Sequence, residues 1–561
     1  MDNPNDDFID VGYHYQLTLN NIIEHAARLH PKEYIVYRGK QRETYKEVFE
    51  RCKRLSNALE GLDVKEGTKV IEFEWNSHRH LEMYFAIPSM GGILHLGNPL
   101  LTPEQIAYII NHAGDEVLIV NKDFLPLIDG IKDKIKTVKH FILITDDGEI
   151  PETRLDPVYE YEDLLKKSSS EYRYPDLDEN TVATMCYTTG TTGDPKGCWF
   201  THRALSIHSI IWGGYASGYG LTPAPYGATL CIVPMFHVHG WCIPYMSTLF
   251  GIRQLMIGRT DPTIVLEMIK NERKEDPDRP ITIFGVASVL RLLIYHPEIE
   301  KYRRYLGNVR YIVGGTAFPR GLAERCIELG IDPYSGWGMT ETCPVMGLTL
   351  PKSHMRDWPD EKILDFKLRS GWAAPFEEQR VVDAEGRDVP RDNKTIGEIV
   401  LRSPWCTMGY YKDLKKSKDL WKDGWLHTGD LALMDEEENP LIVDRDKDVV
   451  KSGGEWISTL TLEDVLSKYP KVSEVAVIGV PHKRYEERPV SIIVPKNEFK
   501  DEMTEDELRR YLEGYVEDGK ILKWWIPERF IFIDEIPKTS VGKFDKKALR
   551  PRYKDLLSNS K

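Results

Sequence analysis

A threonine- and glycine-rich segment, residues 187–197 (YTTGTTGDPKG), limits most strongly what this chain can fold into. The apolar residues before it (181–186) and after it (198–200) are predicted to form short strands, with Thr201 as the N-cap of a following helix. Glycines let backbone amides approach an anion closely, and the threonine hydroxyls and Lys196 add donors and positive charge. Because no Gly-Lys pair is present, the segment is not a P-loop, and it predicts either another kind of polyphosphate site or a flexible surface loop.

The composition is typical of a large globular protein. The chain has 561 residues, of which 41% are hydrophobic and 29% charged, which predicts one large domain and one or more smaller ones. The net charge of −14 argues against a nucleic-acid partner. The eight cysteines are scattered without a Cys-x-x-Cys pair, which argues against a zinc site or a disulfide framework and favours a reducing compartment.

The chain termini carry no targeting signal that we recognise. The N-terminal residues 1–10 are acidic and lack the apolar core of a secretory signal, and the C-terminal SNSK is not the Ser-Lys-Leu peroxisomal address. The apolar stretch 241–257 is interrupted by Pro244, Gly251 and Arg253, so we do not expect it to span a membrane. We therefore expect a cytoplasmic protein.

Strands and helices alternate in the N-terminal part of the sequence. The predicted elements are strands at residues 35–37, 70–73 and 117–120 and helices at residues 16–30, 78–90 and 105–112. Thr44 and Glu47 resemble a capping box that opens a further helix through Leu59. This alternation predicts largely parallel strands. From Leu462 the pattern restarts and runs to a basic helix at residues 546–553, which predicts a compact final domain. The expected fold class is α/β, with a large multi-subdomain N-terminal α/β region and a small C-terminal α+β domain.

Further segments carry side chains suited to nucleotide chemistry. They are residues 314–317 (GGTA), 334–341 (YSGWGMTE), 425–430 (WLHTGD), 444–458 (DRDKDVVKSGGEWIS) and 537–543 (PKTSVGK). An aromatic ring followed by a hydroxyl and a carboxylate can stack on a base, contact a phosphate and hold Mg²⁺. His237 and His239 are spaced like metal ligands, but without a third ligand nearby we interpret them as pocket-lining or core side chains.

These segments, in this order and spacing, resemble the acyl-adenylate-forming superfamily, which includes acyl-CoA synthetases, firefly luciferase and the adenylation domains of peptide synthetases. The resemblance covers about residues 16–553 and is greatest to the fatty-acyl-CoA synthetase branch, through residues 233–241, 451–458 and 535–543. It implies two half-reactions. A carboxylate and MgATP give acyl-AMP and pyrophosphate, and the thiol of coenzyme A then displaces AMP to give the thioester.

The resemblance also implies which residues bind the nucleotide. The implied ATP- and AMP-binding residues are Thr188, Thr189, Gly190, Thr191, Thr192, Gly193, Lys196, Gly315, Thr316, Ala317, Gly336, Trp337, Gly338, Met339, Thr340, Asp430, Arg445 and Lys543. Trp337 would stack on adenine, where the family more often has Tyr, and Asp430 would bind the ribose. The implied catalytic residues are Lys543, Thr340, Glu341 and Thr188. Of these, Glu341 would ligate Mg²⁺, with Thr188 contributing through the nucleotide.

A mobile lid is the second implication of the resemblance. It places a hinge at Asp446 and Lys447, between an adenylate-forming domain (residues 1–445) and a lid domain (residues 448–561). For the thioester step, rotation of the lid would bring a new set of residues to the site: Lys451, Ser452, Gly453, Gly454, Glu455 and Trp456. Lys543 would act from the lid in the first half-reaction alone. The implied partners are ATP, CoA and a small carboxylic acid, and the resemblance leaves a homodimer open.

The acyl group is less well determined by the sequence. The implied pocket residues are His237, His239, Trp241, Gly338 and Val286. Gly338 stands where acetyl-CoA synthetases have a Trp that closes the pocket, so we expect acids longer than propionate to fit. Trp241 either gates an acyl tunnel or is a core side chain. A hydrogen bond from His239 to the acyl chain would suit a short hydroxy acid such as 4-hydroxybutyrate, but we favour a medium- to long-chain fatty acid.

Three other classes of protein fit the sequence less well. A peptide-synthetase adenylation module needs a carrier domain, which we do not expect after the lid. A luciferase-like adenylating oxidase fits the fold, but residues 236–241 resemble the fatty-acyl branch. A non-catalytic nucleotide-binding protein would not need Glu341, Asp430, Arg445 and Lys543 together. The sequence therefore favours an acid–thiol ligase.

Overall fold

A computed structural model describes residues 11–188, 194–221, 226–446, 448–452, 455–500, 502–518, 521–538 and 544–557. The strands are β1 (Tyr34–Tyr37), β2 (Gln41–Thr44), β3 (Lys69–Phe73), β4 (Ile93–Leu96), β5 (Val117–Asn121), β6 (His140–Ile144), β7 (Val158–Glu160), β8 (Val182–Thr188), β9 (Lys196–Thr201), β10 (Ala228–Cys231), β11 (Arg253–Met256), β12 (Ile281–Gly285), β13 (Val309–Val313), β14 (Ile331–Gly338), β15 (Val345–Leu348), β16 (Glu378–Val382), β17 (Ile396–Arg402), β18 (Trp421–Lys422), β19 (Trp425–Met434), β20 (Pro440–Arg445), β21 (Val450–Ser452), β22 (Glu455–Ile457), β23 (Val472–His482), β24 (Glu486–Pro495) and β25 (Arg529–Phe532). The α-helices are α1 (Leu19–Leu29), α2 (Tyr45–Glu60), α3 (His78–Ser89), α4 (Pro103–Ala113), α5 (Leu125–Ile131), α6 (Tyr161–Lys167), α7 (His202–Gly218), α8 (Ile243–Leu249), α9 (Pro262–Glu275), α10 (Ala287–Ile294), α11 (Ile299–Tyr302), α12 (Arg320–Glu328), α13 (Asp360–Lys367), α14 (Leu414–Leu420), α15 (Thr459–Ser467), α16 (Glu505–Glu517) and α17 (Lys546–Tyr553).

Two sheets of the N-terminal region consist mainly of parallel strands. The first has the order β7-β6-β5-β3-β4-β8-β9, in which the β8–β9 pair is antiparallel and the other pairs are parallel. The second has the order β15-β14-β13-β12-β10-β11-β1-β2, with an antiparallel pair at each end. Parallel neighbours need crossover connections, and the predicted helices provide them.

Helices α1, α2, α3, α7 and α8 fill the space between these two sheets. One continuous apolar core joins them to both sheets, with Leu94 and Ile119 from the first sheet and Ile35 and Ile312 from the second. A second core lies under α9, α10 and α12, and a third lies under α4 and α5. Each sheet is therefore covered by helices on both faces, which explains why strands such as β5 are apolar along most of their length.

Two further sheets follow in the chain, and both are largely antiparallel. One has the order β16-β17-β19-β18, with β20 paired to β19. The other has the order β22-β21-β24-β23, with β25 parallel to β24, and buries its apolar side chains against α15, α16 and α17. The predicted fold class, with a large α/β region and a small C-terminal α+β domain, is confirmed.

Several local predictions are also confirmed. Thr44 and Glu47 form a capping box at the start of α2, and Thr201 accepts a hydrogen bond from the Ala204 amide at the start of α7. The predicted basic helix coincides with α17. All eight cysteines are buried as free thiols. Within the described ranges, no helix combines the length and apolarity that crossing a bilayer would require.

A buried cluster of charges joins the end of β20 to the C-terminal helices. A carboxylate oxygen of Asp444 accepts hydrogen bonds of 2.7 Å from both the amide and the hydroxyl of Thr459, the first residue of α15. The ammonium group of Lys546, at the start of α17, donates to the Thr459 hydroxyl and lies 2.7 Å from a carboxylate oxygen of Glu463. Burial alone would lower the pKa of Lys546, but the carboxylates of Glu463 and Asp444 outweigh it and raise this pKa. The lysine is therefore charged and offsets part of the negative charge of the two acids, whose own pKa values burial raises.

Replacement of this lysine tests the cluster. We expect Lys546→Met to destabilise the C-terminal domain by about 3–5 kcal/mol, because Glu463 and Asp444 would remain buried without a positive partner. The measurement is the urea dependence of its unfolding. The exposed neighbour Lys547 provides the matched control, and Lys547→Met should change stability by less than about 0.5 kcal/mol. Equal stability of the two variants would contradict the proposed role of the cluster.

Candidate active site

Three predicted segments meet at one edge of the second sheet. Strands β12, β13 and β14 are parallel and in register, with Gly285 beside Val313 and Val313 beside Ser335. Val286 follows the first of these strands, residues 314–317 follow the second, and residues 338–341 end and follow the third. The carboxyl ends of parallel strands form one edge, where α/β proteins commonly bind ligands. Gly315, Thr316 and Ala317 are exposed there, and residues 336–340 are half-buried.

The flanks of the threonine- and glycine-rich segment belong to a hairpin. Strands β8 and β9 are antiparallel, and their last register pair is Thr188 with Lys196. The predicted phosphate-binding residues between them, Thr189, Gly190, Thr191, Thr192 and Gly193, lie outside the described residues. The hairpin fixes the positions of Thr188 and Lys196, the two residues nearest to this segment in the register of the pair. Lys196 therefore has a defined position relative to the sheet edge.

Lys196 reaches the predicted metal ligand through a tyrosine. Its ammonium group donates a 3.1 Å hydrogen bond to the Tyr410 hydroxyl, which in turn donates a 2.6 Å bond to a carboxylate oxygen of Glu341. Burial and the charge of Glu341 raise the pKa of Tyr410, so the hydroxyl keeps its proton and remains a donor. This three-residue chain connects the β8–β9 hairpin to the edge after β14.

A second cluster surrounds Asp430. One carboxylate oxygen lies 2.8 Å from Nε of Arg445, and the other accepts a 3.0 Å hydrogen bond from the indole N–H of Trp337. Asp430 and Arg445 are register partners in β19 and β20, so the backbone pairing places them together. The charge of Asp430, followed by that of Glu341, raises the pKa of Arg445. The guanidinium pairs with Asp430 and also feels the charge of Glu341, so the two clusters are linked electrostatically.

Backbone packing corrects our interpretation of Gly338. A Cβ atom at this position would lie 1.9 Å from the carbonyl oxygen of Pro344, a distance that no side chain could tolerate. The missing side chain therefore makes room for the adjacent backbone and does not by itself open a wall of the acyl pocket. The conclusion that acids longer than propionate fit can no longer rest on this glycine.

Two of the predicted acyl-pocket residues, His239 and Trp241, lie in an unusual backbone turn. Residues 238–242 all have positive φ angles, between 46° and 59°. Trp241 lies against Gly314, where an added Cβ would come within 2.7 Å of the indole ring. Nε2 of His239 is 2.7 Å from the Thr184 hydroxyl, and the ring is fully buried. His237 is half-buried at the start of the turn.

One group of soft metal ligands was missed by the sequence analysis. A nitrogen of His208 and the sulfurs of Cys242 and Cys343 all lie within 4.8 Å of one another, and all three residues are buried. The two sulfurs are 3.7 Å apart. Their positions in the chain are too far apart to form a recognisable metal motif. The group lies beside the predicted acyl pocket, because Cys242 follows Trp241 and Cys343 precedes Pro344.

The residues predicted for the lid are only partly described. Lys451 in β21 pairs with Asp446 at 3.2 Å, and its amide donates to Glu487, while Ser452 is buried. Asp446 donates its amide proton to the Gly429 carbonyl. The residues that lie outside the described ranges are Lys447, Gly453, Gly454 and Lys543, together with the side chains of Glu455 and Trp456.

Tyr410 is the other residue that the sequence analysis missed. It links Lys196 to Glu341. Its neighbour Tyr411 donates its amide proton to the carbonyl of Gly197 in β9, so this segment is hydrogen-bonded to the hairpin. The available signal in the sequence was Gly409 followed by two tyrosines, a pattern common in core segments. Its hydrogen-bond partners, Lys196 and Glu341, are distant from it in the sequence, which explains why Tyr410 was overlooked.

Comparison with known proteins agrees with this geometry. The family model for AMP-binding enzymes matches residues 23–411, and the model for the C-terminal domain of these enzymes matches residues 461–543. A solved structure of the anthranilate CoA ligase AuaEII has the same fold, with a TM-score of 0.83 over 98% of this chain and 99% of that one, at 23% identity.

Three curated relatives match along nearly the whole chain. A long-chain-fatty-acid–CoA ligase of Thermus thermophilus is 40% identical, over 96% of each chain. A 3-methylmercaptopropionyl-CoA ligase of Ruegeria lacuscaerulensis is 35% identical, over 97% of this chain and 98% of the relative. A medium-chain-fatty-acid–CoA ligase of Ectopseudomonas oleovorans is 33% identical, over 97% of each chain. The chain therefore belongs to the AMP-binding enzyme family, within which it is an AMP-forming acyl-CoA ligase.

Proposed function

We propose that this ligase activates a medium- to long-chain fatty acid at the edge formed by β12, β13 and β14. The observation that carries the proposal is the continuous set of contacts from Lys196 through Tyr410 to Glu341, beside Arg445 and Asp430. Positive and negative groups alternate along it, as a site for a polyphosphate and its metal requires. The relatives that act on long-chain and medium-chain fatty acids support this choice of acid.

In the first half-reaction a carboxylate oxygen attacks the α-phosphorus of ATP. The new C–O–P bond forms as the bridging bond to the β-phosphate breaks, and pyrophosphate leaves. Both reactants are anions, so the protein contributes mainly positioning and charge neutralisation. Lys196, Thr188 and the residues between them would hold the departing phosphates, and Thr340 would contact the α-phosphate. Trp337 and residues 315–317 would enclose adenine, with Asp430 and Arg445 at the ribose.

The residues present fit a magnesium ion. Mg²⁺ prefers hard oxygen ligands and is commonly bound by one or two carboxylates together with substrate phosphates. Glu341 offers such a carboxylate, 7% exposed, and the Thr188 hydroxyl lies at the hairpin that precedes the predicted phosphate loop. When bound with ATP, the ion would neutralise phosphate charge. Tyr410 would hold the carboxylate of Glu341 in place.

In the second half-reaction the CoA thiol attacks the acyl carbon. A carbon–sulfur bond forms, the bond to the AMP oxygen breaks, and the thiol proton is released. We assign residues 1–445 to the adenylate-forming domain, 446–447 to the hinge and 448–561 to the lid. Rotation of the lid would replace Lys543 at the site by residues 451–456. We place the enzyme in the cytoplasm, and a homodimer is compatible with this assignment.

The acid itself is tested by a series of substrates. A release assay for AMP, run with saturated acids of increasing length and with 4-hydroxybutyrate, compares the two substrate classes that the sequence left open. Our proposal requires that kcat/KM be highest for a fatty acid of medium or long chain. A maximum at acids of four carbons or fewer would contradict it.

Removal of one hydroxyl tests the chain of contacts at the site. We expect Tyr410→Phe to lower kcat/KM for ATP about tenfold to a hundredfold, because a hydrogen bond to a charged group contributes about 1.5–3 kcal/mol. Acid-dependent exchange of labelled pyrophosphate into ATP measures this step. Tyr411→Phe is the matched control, since its hydroxyl reaches only a carbonyl, that of Ala113, at 3.4 Å. Equal activity of the two variants would show that the Tyr410 hydroxyl does not support catalysis.

The lid assignment is tested by separating the half-reactions. We expect Lys543→Ala to slow adenylation by about two to three decades, the usual effect of losing one charge-assisted contact made in the transition state. Thioester formation from supplied acyl-AMP should remain within a few-fold of the parent enzyme. Lys538→Ala is the control, because the Lys538 ammonium pairs with Glu474 at 2.6 Å. Equal loss of both half-reactions in Lys543→Ala would refute the division of labour.

A further inference from the structure

Two buried imidazoles near the predicted acyl pocket have unused hydrogen-bonding atoms. His208 is 1% exposed, and neither of its ring nitrogens has a hydrogen bond of good geometry, although the backbone of Val345 lies near the ring. His239 is fully buried, and its Nδ1 is also unpartnered, while Nε2 is taken by Thr184. A buried polar atom left without a partner costs about 1–3 kcal/mol. Three such atoms in one region point to a partner that binds there.

The two rings share one interior region. Burial, and then the charge that His208 would carry, lower the pKa of His239 to about 3. Burial likewise lowers the pKa of His208 to about 3. Both imidazoles are therefore neutral at neutral pH, and each offers one donor and one acceptor. The groups beside them are the thiols of Cys242 and Cys343, with Phe200, Tyr245 and Trp405 against the rings.

This region is continuous with the proposed acyl-binding segments. Cys242 follows Trp241, whose indole lies against Gly314 at the edge of the sheet. On the other side, Cys343 precedes Pro344, whose carbonyl fills the space next to Gly338. His208 reaches both cysteines from α7. Cys242 Sγ lies 3.0 Å from the Cys343 carbonyl oxygen and 3.7 Å from the Cys343 sulfur. An acyl chain would therefore meet His208 by separating residues 241–242 from residues 343–344.

We propose that His208, together with His239, binds a hydroxyl or carbonyl group on the acyl chain, so that the preferred acids are oxygenated rather than plain alkyl acids. The inference rests on the proposed function, because it places the acyl chain at this site. A neutral oxygen group fits better than a second carboxylate, since a buried anion would need a cation and the surrounding groups are uncharged. A site built to hydrogen-bond its ligand rejects analogues that lack the polar group, because its own atoms are then left unpaired.

The test compares pairs of acids of equal length. Each pair consists of a saturated acid and the same acid with one hydroxyl, and the hydroxyl position is varied along the chain. We expect kcat/KM to favour the hydroxylated member at one position by about tenfold or more. In His208→Phe, which keeps a ring of similar size without nitrogen atoms, that preference should fall to about onefold. The ratio is measured within one preparation, so a partly unfolded variant still gives a valid result.

A buried histidine on the same helix provides the control. His202, the first residue of α7, accepts a 3.2 Å hydrogen bond from the Leu19 amide, and His202→Phe should keep the preference of the parent enzyme even if it folds less well. The inference is overturned if the parent enzyme shows no preference at any hydroxyl position, or if His208→Phe retains it.

A metal ion is the competing partner for these nitrogens. If the purified enzyme binds one equivalent of Zn²⁺ that is lost in both His208→Phe and Cys242→Ser, the nitrogens have a metal partner and the inference is also overturned. Failure of the proposed function would look different. In that case no acid of either kind would give CoA-dependent AMP release, whereas failure of this inference alone leaves turnover of alkyl acids intact and independent of His208.

Discussion

The ion pair between Asp430 and Arg445 is the contact on which the site depends most. Asp430 is 3% exposed, and a carboxylate buried to that degree is stable only with a charged partner and further hydrogen bonds. The register of β19 and β20 provides the guanidinium, and the indole of Trp337 provides the second donor. One residue beyond Arg445, the chain leaves the sheet toward the C-terminal domain. The same pair therefore fixes the part of the site that we propose to bind the ribose and the residue after which the proposed lid begins.

Much of the fold follows from local sequence patterns. Alternating apolar runs and amphipathic stretches located the strands and helices of the parallel sheets, because strands buried on both faces are apolar over their whole length. The helix that begins at Lys546 and the caps at Thr44 and Thr201 were also readable, since each depends on residues within one or two turns of the chain. The order of strands in the sheets was not predicted, because it is decided by contacts between distant segments.

The site was predicted in part, and the misses have physical reasons. The roles expected of Glu341, Asp430 and Arg445 followed from the resemblance of their segments to a known family, and the structure brings these three side chains near one another. Tyr410 was not, because its partners lie 69 and 214 residues away and no local pattern connects them. Gly338 was interpreted as an empty space, whereas the fold uses that space for the backbone of Pro344. Sequence shows that a side chain is missing, but only packing shows what replaces it.

The layer of helices between the two parallel sheets has a consequence for how the protein can be divided. Because α1, α2, α3, α7 and α8 contribute to one apolar core with both sheets, neither sheet can keep that face covered without the other. Splitting the chain between β7 and β8 would expose this interface on both fragments and leave each prone to aggregation. The N-terminal region should therefore unfold as a single cooperative unit, and exchange of parts between related ligases would have to transfer it whole.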